Sequence, residues 1–327
     1  MRKIFPPRLK AGDTVAVVAP SGSDKNKARA ELLATEKYLN SLRLKVVYGK
    51  HLGQGKLPLD TPDKSGRLQD LHWAFGEGEI AGVFFLTGGW HLNQILPDVD
   101  WDLIKHHPKV VLGHSDGAIF LNAMLAKTGV VGYYGGNFSA LGATEGADFT
   151  HKFLKKCLLE VSNFELESSG MSYDKDFREE EPQLKKHKSG GWWAVQKGIG
   201  QGTIIGGNLS SVTLLNGSKH MPSYKNAVLA VEMYRGSLAE FDRMLEAILQ
   251  QPKVDKLEAL LVGRFVSEAE IKKSELEQII KAKPQLQGVP IVANLDFGHT
   301  LPRLTLPIGG EATVRVGSKT EIIINEH

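Results

Sequence analysis

The feature that most constrains this chain is the alternation, through its first 140 or so residues, of short β-branched runs with segments of helical apolar spacing. "DTVAVVAP" reads as a strand closed by Pro-Ser-Gly, "KARAELLATEKYLNSL" as a helix, and "KVVYG" as the next strand, which together make a βαβ unit. The pattern continues with "GRLQDLHWAFGEGE" as a helix, "IAGVFFLTGG" as a strand and turn, and "KVVLG" and "AIFLNAMLAKTG" as a further strand and helix. Such alternation predicts a parallel sheet with helices on both faces and ligands bound beyond the carboxyl ends of its strands. "TGGW" and "GHSDG" both lie at such ends.

From about 165 to 200 the chain turns polar, charged and Gly-rich ("MSYDKDFREEEPQLKKHKSGGWW"), too hydrophilic for a core, and reads as a long loop. Beyond it, "GTIIGGNLSSVTLL", "AVLAVEMY", "EFDRMLEAILQ", "LEALLVGRF", "PIVANLDFG" and "ATVRVGSKTEIIIN" form a second α/β region ending in antiparallel strands. A length of 327 residues exceeds the usual size of a single core. The expected organisation is therefore a first domain over 1–160, a linker over 161–200 and a second domain over 201–327.

Composition narrows the function classes. With 42% hydrophobic and 24% charged residues and a net charge of +3, the chain is an ordinary globular protein. Its Lys and Arg are spread out rather than clustered among aromatics, so a nucleic-acid partner is not expected. The single cysteine, Cys157, precludes an intramolecular disulfide and reads as a small core residue of "HKFLKKCLLEV". Two prolines and a lysine interrupt any signal-like run at the N-terminus, and no uncharged apolar stretch approaches 18 residues. A cytoplasmic protein without a membrane partner is the expectation.

Ser115, in Gly113-His114-Ser115-Asp116-Gly117, stands where a strand runs into a helix. A sharp strand-to-helix turn presents a serine away from its own backbone, and the helix start places an N–H beside a developing oxyanion. The competing reading is a serine that caps the helix. His114 is adjacent on an extended strand end and points away from Ser115, so a base must come from elsewhere. Of 11 histidines, His72, His106, His107, His151, His187 and His327 sit in helical, turn or polar contexts without ligand-type spacing. His299, in "ANLDFGHTLPRLTLPIGG", follows a strand in a Gly-flanked loop where a catalytic imidazole often sits. Glu232, in "VLAVEMY", ends an apolar strand where a carboxylate is costly to bury without a partner, unless it faces outward. No Cys/His/carboxylate spacing suggests a metal, and "GIGQGT" lacks the flanking strand and helix of a dinucleotide loop, so no cofactor is expected.

In sequence order, "TGGWHLNQILPDVDWDLIKHHPKVVLGHSDGAIF", "IIGGNLSSVTLLNGSKHMP", "LAVEMYRGSLAEFDRML", "LVGRF" and "FGHTLPRLTLPIGG" resemble the blocks of the LD-carboxypeptidases, serine peptidase family S66. The resemblance spans nearly the whole chain. It implies Ser115 as nucleophile, Glu232 as acid, His299 as base, and the backbone N–H groups of Gly89 and Asp116 as the oxyanion hole. The Asp116 side chain would then cap its helix. It implies a Rossmann-like N-terminal domain and a C-terminal α/β domain with a β-rich, barrel-like core, the site lying between them, and a homodimer. Neither a metal nor another cofactor is implied.

One branch of the family releases terminal D-Ala from murein tetrapeptides during cell-wall recycling. Another, the microcin C immunity branch, cleaves an aminoacyl group from a non-hydrolysable adenylate. The substrate partner is thus a small peptide or an aminoacyl nucleotide. Thr87 and Trp90 stand where muropeptide enzymes often carry Arg and Tyr, and His114 where Tyr is common. Trp192 and Trp193 are candidates to stack on a nucleobase, or else anchor their loop. Trp90, Asn208 in the GGNL block and Arg235, a cation for a substrate carboxylate, complete the candidate binding residues. Two other classes share these features: an α/β-hydrolase esterase, although no HGGG-type stretch occurs, and a non-catalytic small-molecule binder in which Ser115 caps a helix.

Overall fold

The computed structural model describes residues 2–22, 29–55, 61–175, 183–269 and 271–327. The apolar runs of the first part become strands buried on both faces, as a helix-covered parallel sheet requires. In chain order they are β1 (Thr14–Val18), α1 (Arg29–Ser41), β2 (Lys45–Tyr48), α2 (Lys64–Gly76), β3 (Ile80–Phe85), α3 (Trp101–His106), β4 (Val110–Gly113), α4 (Gly117–Thr128), β5 (Gly132–Tyr134) and α5 (Ala147–Leu158). Asp63 starts α2 by accepting the Gly66 N–H at 2.7 Å. In α5, Phe153, Leu154, Cys157 and Leu158 fall on one buried face at helical spacing.

The chain continues through β6 (Phe164–Glu165), β7 (Met171–Lys175), β8 (Leu184–Lys188), β9 (Trp193–Gln196), β10 (Gly198–Asn208), α6 (Leu209–Thr213), β11 (Ala227–Glu232), α7 (Leu238–Leu249), β12 (Ala259–Gly263), α8 (Lys273–Lys281), β13 (Ile291–Leu295), β14 (Leu306–Ile308), β15 (Glu311–Val316) and β16 (Thr320–Glu326). The polar segment expected to be a linker therefore holds four strands, apart from 176–182, which lie outside the described residues. β7 and β8 form a two-stranded antiparallel ribbon, which Tyr173 of β7 joins to the chain at Leu301 through a pair of backbone hydrogen bonds of 2.7 and 2.9 Å. Backbone pairing needs no apolar face, so the composition of this ribbon conceals it.

Two sheets organise the molecule. The first runs β14-β5-β4-β3-β1-β2, parallel except for β14, which returns from the C-terminal region to pair antiparallel with β5 (Leu306 opposite Tyr134). The expected boundary at 201 does not separate the sheets, because this late strand completes the first one. The second runs β6-β16-β15-β10-β11-β12-β13-β9, with β10 to β13 parallel and antiparallel strands on either side.

The expected barrel-like core is an open sheet. Its end strands β6 and β9 pair with β16 and β13 respectively, not with each other, and at two and four residues they are too short to close a sheared cylinder. Between the sheets lies α4, with residues 117–125 and Thr128 buried. Its Asn122, wholly buried, donates to the Gly206 carbonyl at 2.7 Å and accepts the Gly206 N–H at 3.0 Å, fixing the elbow helix to β10. A Cβ on Gly207 would come within 2.6 Å of Ala118 Cβ, so the GGNL block is what lets the helix approach.

Candidate active site

Ser115 leaves β4 with φ +59°, a left-handed conformation rare for a side-chain-bearing residue. Phe85 fills the space beside Gly113, where a Cβ would lie 2.8 Å from its ring. The residue at the helix N-cap is Asp116, and α4 receives no side-chain cap bond. Ser115 is thus not a helix cap. Nor does Asp116 cap its helix as expected: its buried carboxylate accepts from the Ser21 hydroxyl and from the Leu92 N–H at 3.0 Å. With φ and ψ already helical, Asp116 turns its side chain out toward the loops after β1 and β3 and ties them to the elbow. Burial pushes its pKa up against the opposing pull of these hydrogen bonds.

The Gly88-Gly89 turn passes over the nucleophile. A Cβ on Gly88 would lie 2.8 Å from Ser115 Cβ, 3.1 Å from its Oγ and 3.7 Å from the Asp116 nitrogen. The Gly88 carbonyl accepts the Gly22 N–H at 3.0 Å, which seats the turn against the loop after β1. Trp90 follows at the rim, 75% exposed.

Glu232, the last residue of β11, is wholly buried rather than facing outward. Its Oε1 accepts from the Tyr134 hydroxyl at 2.6 Å and the Asn208 amide at 3.1 Å, and its Oε2 lies 2.8 Å from His299 Nδ1. Burial alone would raise its pKa, but the His299 charge and these three hydrogen bonds hold it below the ordinary value. With Nδ1 facing Glu232, His299 has Nε2 left for proton exchange. Its ring is packed between Tyr234 (centroids 4.4 Å apart) and His114 (4.5 Å).

His114 turns away from solvent against His299 and Tyr134, and its Nε2 has no hydrogen-bond partner. Burial first, then the charges of His299 and Arg303, drive its pKa well down, so it stays neutral. His114, Glu232 and His299 each bring one donor atom within 4.8 Å of the others, a grouping that sequence spacing concealed. Both Glu232 oxygens and His299 Nδ1 are already engaged in hydrogen bonds, which suits proton transfer better than metal ligation.

The candidate binding residues divide. Asn208 is buried; besides holding Glu232 it accepts the Ser211 N–H at 3.2 Å as the cap of α6, so it supports the acid rather than facing a ligand. Trp192 donates its indole N–H at 2.8 Å to Asp296, itself wholly buried and paired with Arg264 at 2.6 Å. Trp193 lies in β9 opposite Ala293, and both tryptophans pack on the core. The anchoring role is the one their contacts support. Arg235 is exposed, its guanidinium 5.2 Å from the Tyr234 ring centroid. Sequence reasoning missed Tyr134, Tyr234 and Asp296. The last was within reach, since "VANLDFG" places a carboxylate beside an apolar strand just as "VLAVEMY" does.

Residues 15–135 match the sequence profile of the LD-carboxypeptidase N-terminal domain, and residues 201–314 that of the LD-carboxypeptidase C-terminal domain. The chain is 32% identical to a putative carboxypeptidase, YocD, of Bacillus subtilis, over 99% of this chain and 100% of that one. It is 30% identical to a probable murein peptide carboxypeptidase of the same organism, over 97% and 93% of the two chains. The crystal structure of an MccF-like protein from Bacillus anthracis superposes with a TM-score of 0.95 at 32% identity, covering 99% of this chain and 100% of that one. Among the described residues, no helix is long and apolar enough to cross a membrane.

Proposed function

This chain belongs to the LD-carboxypeptidase family, and from that premise we propose that it is a serine amidase that releases the terminal residue of a short peptide. The Glu232–His299 contact, 2.8 Å long and based on a wholly buried carboxylate, is the observation that carries the reading. A carboxylate is placed there at the cost of its own hydration, and orienting an imidazole is what such a placement serves. In the proposed reaction His299 Nε2 takes the Ser115 proton as Oγ attacks the amide carbonyl. The N–H groups of Gly89 and Asp116 hold the resulting oxyanion. The intermediate collapses as His299 returns its proton to the leaving amine, and water, deprotonated by the same imidazole, then releases the acid and frees Ser115.

The first candidate substrate is a murein tetrapeptide ending in D-Ala, in keeping with the named carboxypeptidase relative. A second reading, cleavage of an aminoacyl-adenylate analogue, is favoured by the close superposition on the MccF-like protein. Mass spectrometry of both compounds, incubated with native protein and with Ser115→Ala, separates the two. Loss of D-Ala alone supports the first and cleavage of the adenylate alone the second. Equal turnover by Ser115→Ala, or no turnover together with failure of a fluorophosphonate to label the native protein, would return Ser115 to a non-catalytic role.

A further inference from the structure

The proposed triad is split between the two sheets. Ser115 follows β4 of the first, whereas Glu232 ends β11 of the second and His299 follows β13. Alignment to a fraction of an ångström must therefore be maintained across the seam between them. The Tyr134 side chain is hydrogen-bonded to both halves of the triad. The Tyr134 oxygen, on β5, accepts the Ser115 backbone N–H at 3.2 Å, while its proton goes to Glu232 Oε1 at 2.6 Å. A phenol has one proton, so the direction of both bonds is set by the ionised carboxylate. Ser115 is also the strained residue of the elbow, and its N–H is the group the phenol holds.

We infer that the Tyr134 hydroxyl is a positioning group that sets the nucleophile of one sheet against the acid of the other. This rests on the triad proposed above. The phenol keeps its proton because burial first, and then the charge of Glu232, push its pKa well up. Its loss would act in two places. Ser115 N–H would lose its acceptor inside a buried turn, loosening the elbow. Glu232 would keep only Asn208 on Oε1, so its ionised form would be less well held. The groups facing Glu232 are His299 from the loop after β13, Tyr134 from β5 and Asn208 from β10, with neutral His114 from the end of β4 and the Arg303 guanidinium within electrostatic reach. Of these, it is the Tyr134 side chain that also accepts the nucleophile's backbone N–H.

The test is the second-order rate at which a fluorophosphonate labels Ser115, followed across pH by intact-protein mass spectrometry, which needs no knowledge of the natural substrate. Tyr134→Phe should label on the order of tenfold to a hundredfold more slowly, with the acid limb of the coupled Glu232–His299 pair moved to higher pH. Tyr133→Phe removes a neighbouring buried hydroxyl, bonded instead to Arg8, and should label like the native protein. A fluorinated tyrosine at 134 keeps the shape while strengthening the phenol as a donor, so it should move the acid limb to lower pH even if the phenylalanine variant folds poorly. Labelling of Tyr134→Phe within about twofold of native at every pH, or a slower rate with an unmoved limb, overturns the inference. Failure of native protein to label at all overturns the triad itself, a distinct outcome.

Discussion

Glu232 Oε2 and His299 Nδ1 stand 2.8 Å apart although 67 positions separate the two residues in sequence. Each leaves the carboxyl end of a parallel strand of the second sheet, β11 for the acid and β13 for the imidazole. The carboxylate is reached by donors from both sheets, so its ionisation is part of how the sheets hold together.

A pH dependence of stability follows. The pKa of Glu232 is lowered in the folded protein from an ordinary value of 4.5. A carboxylate with a depressed folded pKa contributes stability that is fully present above its unfolded value and is lost as pH falls through its folded one. Urea midpoints of the native protein should therefore decline below about pH 4.5. Glu232→Gln should flatten that decline while lowering turnover by about 10,000-fold, as expected when an imidazole loses its orienting charge. An unchanged slope in the variant would show that Glu232 is not the group being titrated.

Ser115→Gly should separate activity from stability. At φ +59° a non-glycine residue costs roughly 1 kcal/mol. The variant should unfold at equal or higher denaturant concentration than native, offset slightly by glycine's unfolded entropy, and should neither label with fluorophosphonate nor turn over substrate. A clear fall in stability would mean the elbow is not strained.

Gly88→Ala tests how closely the turn covers the nucleophile. Its methyl would stand 2.8 Å from Ser115 Cβ and 3.1 Å from Oγ. Gly88 is not at positive φ, so the backbone itself tolerates the change. Labelling and turnover should drop by about 100-fold or more, as when an oxyanion donor is displaced, and the melting temperature should fall as well, because the Ser115 Cβ is fixed by the elbow and cannot move aside cheaply. Near-native labelling would place the turn farther from the reacting oxygen than this geometry has it.

How far the fold was legible depended on where its determinants lie. The strands of the first sheet declared themselves because burial on both faces demands continuous apolar runs such as "VAVV" and "GVFF". Ser115, Glu232 and His299 stood out because each is a polar residue in an apolar or turn setting with a chemical use. Tyr134 carried no such signal: in "GYYGG" it reads as a strand aromatic, and only the approach of the second sheet gives its hydroxyl two partners. β14 was invisible for a similar reason, since its place beside β5 is a tertiary fact, and the β7–β8 ribbon hid behind polar residues. The Asp116 side chain was misassigned because a residue at the start of a helix is expected to cap it, whereas its helical backbone angles send the carboxylate to Ser21 and Leu92.

The tryptophans offer the sharpest contrast between a stacking platform and an anchor. Trp192 gives its indole N–H to Asp296, which also receives Arg264 and the Ser169 hydroxyl and is wholly buried. Trp192→Phe keeps the ring but leaves a buried carboxylate one donor short, a loss of about 1–3 kcal/mol. Trp90 lies at the rim beside Gly89, 75% exposed. If Trp192 is an anchor, Trp192→Phe lowers the urea midpoint and leaves KM unchanged for whichever substrate is cleaved. Trp90→Ala should do the reverse, raising KM by about tenfold, as loss of one stacked ring implies, with stability intact. A raised KM in Trp192→Phe without loss of stability would reassign that indole to the ligand, and would favour the nucleotide over the muropeptide as the substrate that needs it.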